Sequence, residues 1–125
     1  MGTKVCIDTD VLINSLKNHF YHEHIRETLV NKELYITTVT VFELYKRQTN
    51  IDKVQFLISG FNVLDFNISA ALVASILFKY LQNKGIPVDH RDLFIAAISL
   101  ANDCELLTNN IKDFKNIPNL KLVQV

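Results

Sequence analysis

Short apolar runs alternate with longer stretches of helical periodicity along this chain. Val5-Cys6-Ile7 is a hydrophobic run that halts at Asp8, and hydrophobicity resumes at Val11-Leu12-Ile13, as when a buried strand passes into a helix. Ile25, Leu29 and Val30 fall at helical spacing and predict a helix over Ile25 to Lys32. Leu34 to Thr38 is β-branched and aromatic, which predicts a second strand, with a helix starting near Thr40. Phe61 to Phe66 reads as a third strand, followed by a long helix from about Ser69 to Asn83 that Gly85 and Pro87 end. A further helix is expected from Asp89 or Arg91 to Asn102, its Ala96-Ala97 pair small enough to lie close on a sheet. Glu105 to Thr108 predicts a fourth strand and Leu120 to Val125 a fifth. Strands alternating with helices imply βαβ crossovers, hence a three-layer α/β/α fold with a mainly parallel sheet of about five strands.

Composition narrows the class without changing that picture. The 125 residues are 49% hydrophobic and 21% charged, with 3 Gly and 2 Pro, which fits one globular domain over residues 1–125 and excludes disordered or fibrous chains. Thirteen basic residues balance thirteen acidic ones, so no global field draws the chain to a polyanion, and any such binding must be local. The longest mostly apolar stretch, Ile68 to Phe78, is interrupted by Ser69 and Ser75 and is too short to span a membrane. No secretory signal pattern opens the chain, and the expected location is the cytoplasm. Cys6 and Cys104 sit in apolar runs and are expected to be reduced and buried.

In open α/β sheets ligands bind beyond the carboxyl ends of the strands, so the polar residues just after each strand are the ones to collect. These are Asp8 and Asp10 after the first strand, Glu43 one turn into the helix after the second, Asp92 at a helix start, and Asn109, Asn110 and Asp113 after the fourth. Each has a structural explanation. Asp8 or Asp10 can cap a helix, Thr40-x-x-Glu43 matches a capping box, Asp92 suits a helix first turn, and Asn109-Asn110 suits a turn. Together they require more, because carboxylates gathered at one edge repel unless a cation or shifted pKa offsets them. A hard divalent cation with oxygen ligands answers that need and points to phosphoryl chemistry. His19, His22 and His24 match no zinc spacing and are expected on the surface, while His90 could touch substrate.

Four blocks in order, Ile7-Asp8-Thr9-Asp10-Val11-Leu12-Ile13, Ile36 to Leu44, Asp92-Leu93-Phe94-Ile95-Ala96-Ala97 and Leu107 to Phe114, resemble the PIN-domain nucleases, and within them the VapC-type toxins of toxin–antitoxin pairs. The resemblance implies a Mg²⁺- or Mn²⁺-dependent endoribonuclease, with Asp8, Glu43 and Asp92 as metal-binding acids and Asn110 at the position of a fourth acid. It also implies an RNA substrate, a small antitoxin partner inserting near the acidic groove, and a homodimer. Asp10 stands where the family usually has Asn, and its charge could stand in for the one absent at Asn110. Thr9 and Thr108 are expected to orient the carboxylates, and Asp113 to hold the loop before Phe114. With Asp8, Glu43 and Asp92 counted as neutralised, thirteen basic residues face ten acidic ones, and Lys17, Lys46, Arg47, Arg91 and Lys112 become candidates for phosphate contacts. Phe20, Tyr21, Phe42 and Tyr45 could anchor the antitoxin.

Two other readings stand beside this one. Asn110 in place of an acid is compatible with a PIN-like module that binds RNA or protein without cutting. Asp8-Thr9-Asp10 resembles the nucleophile and acid of haloacid-dehalogenase-like phosphatases, although Val11 replaces their usual glycine and no paired late aspartates follow.

Overall fold

The structure is a computed structural model that describes residues 2–124. Strand β1 (Lys4–Ile7) leads into α1 (Thr9–Lys17) and α2 (His19–Thr28), then β2 (Glu33–Thr37), α3 (Thr38–Arg47), α4 (Ile51–Ser59) and β3 (Asn62–Leu64). The second half continues with α5 (Ile68–Asn83), α6 (His90–Ala101), β4 (Glu105–Thr108), α7 (Ile111–Phe114) and β5 (Leu122–Gln124). All the strand pairs are parallel, in the order β3-β2-β1-β4-β5. The chain leaves β1 toward β2 and β3, then returns to lay β4 on β1's other side. The carboxyl ends of β1 and β4 therefore flank the crevice where such a sheet accepts ligands.

Alternation along the strands builds two cores. Val5, Ile7, Ile36 and Leu107 face one side and pack with Val11, Leu12, Leu44 and Val54 from α1, α3 and α4. Cys6 and Leu106 face the other and pack with Leu77, Leu81, Ile95 and Ala97 from α5 and α6. Burial on both faces is why these strands read as continuous apolar runs, and it confirms the three-layer α/β reading. Ile36, Leu106 and Leu107 are wholly buried, so truncating any of them to Ala should cost about 2–5 kcal/mol.

Several boundaries differ from those expected. The helix anticipated over Ile25 to Lys32 begins at His19, because the Asn18 side chain accepts the Tyr21 N–H as its cap, and it ends at Thr28. The chain then turns back through Asn31, whose φ of 63° lies in the left-handed region that Asn tolerates. Helix α3 starts at Thr38 because the Thr37 hydroxyl accepts the Thr40 N–H. That moves the second strand one residue back, to Glu33–Thr37, and the third contracts to Asn62–Leu64 at the sheet edge. Helices α4 and α7 were not anticipated. In α4 only Val54 is buried, so Asn50, which accepts the Lys53 N–H, carries more of the helix signal than its apolar pattern does. The fifth strand covers Leu122–Gln124; the expected extension to Val125 lies outside the described residues. Among the described residues no helix is long and apolar enough to cross a membrane, and Cys6 and Cys104 are free and buried.

Candidate active site

At the carboxyl ends of β1 and β4 lies an open cleft of about 430 Å³ lined by Asp8, Asp10, Glu43, Asp92, Asn110 and Asp113, with Arg47, Arg91 and Lys112 among its walls. It thus collects every acid singled out in the sequence.

Asp8 is both cap and cleft residue. Its Oδ1 accepts the Thr9 N–H at 2.9 Å, starting α1, and its Oδ2 accepts the Thr108 hydroxyl at 2.8 Å. One carboxylate is thereby fixed between β1 and β4. Glu43 is not a capping-box residue: it sits in the second turn of α3, and its Oε1 accepts the Thr9 hydroxyl at 3.3 Å while its Oε2 meets Arg91 at 3.3 Å. The Thr9 oxygen can in turn accept the Thr40 hydroxyl, which lies 3.1 Å away. Asp92 lies in the first turn of α6, whose cap is Asp89, an acceptor for the Arg91 N–H at 2.8 Å. Asn110 donates its amide to Asp10 at 3.0 Å, and its backbone N–H donates to the Thr108 hydroxyl at 2.9 Å. Arg47 closes on Asp10 at 2.9 Å.

The charges divide into compensated and uncompensated groups. Asp10 is held below the usual carboxylate range, first by the Arg47 bond and then by Asn110, and Asp89 likewise by Arg91. The Asp10 charge is thus balanced within the cleft by Arg47. Asp8 and Asp92 have no ion-pair partner among the described residues. Burial pushes Asp8 up to about 6, with Asp10 and Glu43 adding to the rise against the Thr108 and Thr9 bonds. Burial also pushes Asp92 up to about 7, with Asp8, Asp89 and Asp113 adding their repulsion. Two adjacent carboxyls with no cation of their own are the chemistry a hard divalent cation satisfies. Among the described residues no three acidic, His or Cys side chains close into a metal cage. Mg²⁺ usually takes one or two direct carboxylates and keeps several waters, through which further acids can act.

Other candidates fall elsewhere. The Lys46 ammonium lies over the Phe42 ring, 5.5 Å from its centre, and Lys46 does not line the cleft. Lys17 is also absent from its walls. His90 stacks on Phe94 and meets Phe78 edge-on and does not line the cleft, and His19, His22 and His24 are exposed on α2. Asn116 lines the cleft without any signal in the sequence, and Thr40, read only as part of a cap, proves to be a partner of Thr9. Tyr21 and Tyr45 pack against a core, whereas Phe20 and Phe42 are 84% and 58% exposed.

Comparison with known proteins gives concordant results. The PIN domain profile matches residues 5–120. The tRNA(fMet)-specific endonuclease VapC of Salmonella typhimurium is 30% identical, covering 95% of this chain and 96% of that protein. Ribonuclease VapC2 of Rickettsia felis is 29% identical over 93% of each. Among solved structures, DNA-bound VapBC from Salmonella typhimurium superposes with a TM-score of 0.86 at 30% identity, covering 98% of each chain. VapBC2 from Rickettsia felis bound to a promoter DNA fragment gives 0.85 at 26% identity, covering 98% of this chain and 99% of that one.

Proposed function

The chain belongs to the PIN-domain family, and from that footing we propose that it is a divalent-metal-dependent endoribonuclease, the toxin of a toxin–antitoxin pair. The observation that carries the site assignment is the pair Asp8 and Asp92, carboxyls without a cation of their own at the switch point of the sheet. The haloacid-dehalogenase reading loses support here, since it needs Asp10 as a free proton donor and Arg47 and Asn110 hold that side chain ionised.

Asp8, Asp92 and Glu43 would hold Mg²⁺ or Mn²⁺, which supplies a water of lowered pKa and charge neutralisation at the phosphate. The protein's part is positional. Thr108 and the Thr9 N–H fix the Asp8 carboxyl in direction, and the Thr9 hydroxyl does the same for Glu43. Asn110 braces Asp10 and, through Thr108, the loop after β4. Arg91 and Lys112 line the cleft walls and would meet backbone phosphates, and Asp113 adds its charge to Asp92's surroundings.

Two protein partners complete the proposal. The relatives solved as VapBC complexes support an antitoxin for this chain, with exposed Phe20 and Phe42 as its apolar anchors. A second copy of the chain would complete a homodimer. The direct test is cleavage of a pool of structured and single-stranded RNAs, initiator tRNA included, in Mg²⁺, Mn²⁺ or EDTA, beside Asp8→Asn and Asp92→Asn. Metal-dependent cutting lost in both variants is the expected result. Undiminished cutting in either variant refutes the site. Intact RNA, with Mg²⁺ still raising the melting temperature, favours the non-cutting module instead.

A further inference from the structure

We infer that Arg91 is a displaceable countercharge, which pairs with Glu43 in the metal-free chain and is released by the divalent cation to take the substrate phosphate. The inference rests on the reading of the cleft given above. Arg91 reaches from α6 across to α3, where its Nη1 lies 3.3 Å from Glu43 Oε2. Its Nη2 and Nε lie 3.3 Å from the two Asp89 oxygens. All three contacts are long for charge-assisted bonds, which settle near 2.7–2.9 Å. By contrast Arg47, on α3 one turn beyond Glu43, holds Asp10 at 2.9 Å.

The side chain is 49% exposed at the cleft mouth, so it can move without disturbing a core. Its two anchors differ. Asp89 lies two residues away and moves with it, whereas Glu43 belongs to another helix and is one of the three acids that would hold the cation. A divalent charge among Asp8, Asp92 and Glu43 draws on the same Glu43 carboxylate and repels the guanidinium. Arg91 then keeps Asp89 and turns its freed N–H groups toward the mouth, where a phosphate would enter. Linkage makes the effect reciprocal, since a cation that frees Arg91 must strengthen phosphate binding, and bound phosphate must strengthen cation binding.

The test uses the whole chain as Arg91→Met and Arg91→Lys beside wild type. Calorimetric titration of Mg²⁺ into metal-free protein at low salt should show Arg91→Met binding about fivefold or more tighter, with Arg91→Lys between. Anisotropy of labelled single-stranded dT12 should show affinity rising with Mg²⁺ in wild type and much less in Arg91→Met. Mg²⁺ binding that is equal or weaker in Arg91→Met overturns the inference and leaves the cation site standing. Equal gains in dT12 affinity for both proteins, or no gain in wild type, overturn the coupling. If no protein binds Mg²⁺, the cation site and this inference fall together.

Discussion

Removing one buried hydroxyl should separate the electrostatic role of Thr108 from its packing role. Thr108 is wholly buried, donates to Asp8 Oδ2 at 2.8 Å and accepts the Asn110 N–H at 2.9 Å. Thr108→Val keeps the shape and loses both bonds. The bond to a charged carboxylate contributes about 1.5–3 kcal/mol, and the partly buried Asn110 N–H left unpaired adds about 1 kcal/mol. In the metal-free protein at pH 8, where Asp8 is ionised, the loss should be about 2.5–4 kcal/mol, or roughly 9–15 °C in melting temperature for a domain of this size.

At pH 4.5 Asp8, with a pKa of about 6, is already protonated. The bond then joins two neutral groups, and with the Asn110 N–H still unpaired the loss should fall to about 2 kcal/mol. Because the Thr108 donor favours the ionised form of Asp8, its removal should raise that pKa by about one unit and move the acid limb of RNA cleavage to higher pH. Urea denaturation at both pH values and a pH–rate profile for the variant provide the check. Equal losses at pH 4.5 and 8, together with an unmoved acid limb, would show that Thr108 only packs and that the account of Asp8 is wrong.

Two further outcomes follow from the same charges. Asp8 and Asp92 have folded pKa values of about 6 and about 7 against an ordinary 3.8, so the fold binds their protons more tightly than the unfolded chain does. Their contribution is complete below pH 4 and is lost as pH rises through 6 and 7, so melts in EDTA should fall across that window, by about 2–3 kcal/mol for Asp8 alone. Millimolar Mg²⁺ should flatten the curve, and a rise in stability from pH 4 to 8 in EDTA would refute the assignment. The opposite contributions of Asp10 and Asp89, whose pKa values are lowered, are present above the ordinary carboxylate pKa and are lost only as pH falls below it. Asp92→Asn should abolish cleavage yet stabilise the metal-free protein at pH 8 by about 1 kcal/mol, since half-exposed Asp92 is screened by solvent. A lower melting temperature for that variant at pH 8 would count against mutual repulsion in the cleft.

The layers and strands were legible because the inner strands are buried on both faces, which writes them as unbroken apolar runs such as Val5-Cys6-Ile7. The misplaced ends were set by single side chains that periodicity does not weigh, Asn18 for α2 and Thr37 for α3. Helix α4 was invisible for a related reason, its apolar Ile51 and Phe56 being 51% and 83% exposed. In the cleft, the acids could be collected from strand ends, but their partners could not. Arg91 and Glu43 are 48 residues apart, and Arg47 and Asp10 are 37 apart. Helical geometry would have chosen between Lys46 and Arg47. Arg47 follows Glu43 by one turn and shares its face, whereas Lys46 follows Phe42 and shares the exposed one.

The structural and functional explanations weighed for each acid turn out not to be rivals. Asp8 caps α1 with one oxygen and receives the Thr108 hydroxyl with the other, and that double hold keeps a buried carboxylate in one direction within an otherwise repulsive cleft. The same logic applies to Asp10 and Asn110. An acid on α1 and an amide after β4 form one hydrogen bond of 3.0 Å across the cleft, which braces the two elements. Arg47 balances the charge of that acid at 2.9 Å. The charge left for a cation is then concentrated at Asp8 and Asp92, with Glu43 shared between Thr9 and Arg91. A cation drawn mainly by two carboxylates would keep more of its own water, which a hydrolytic reaction needs.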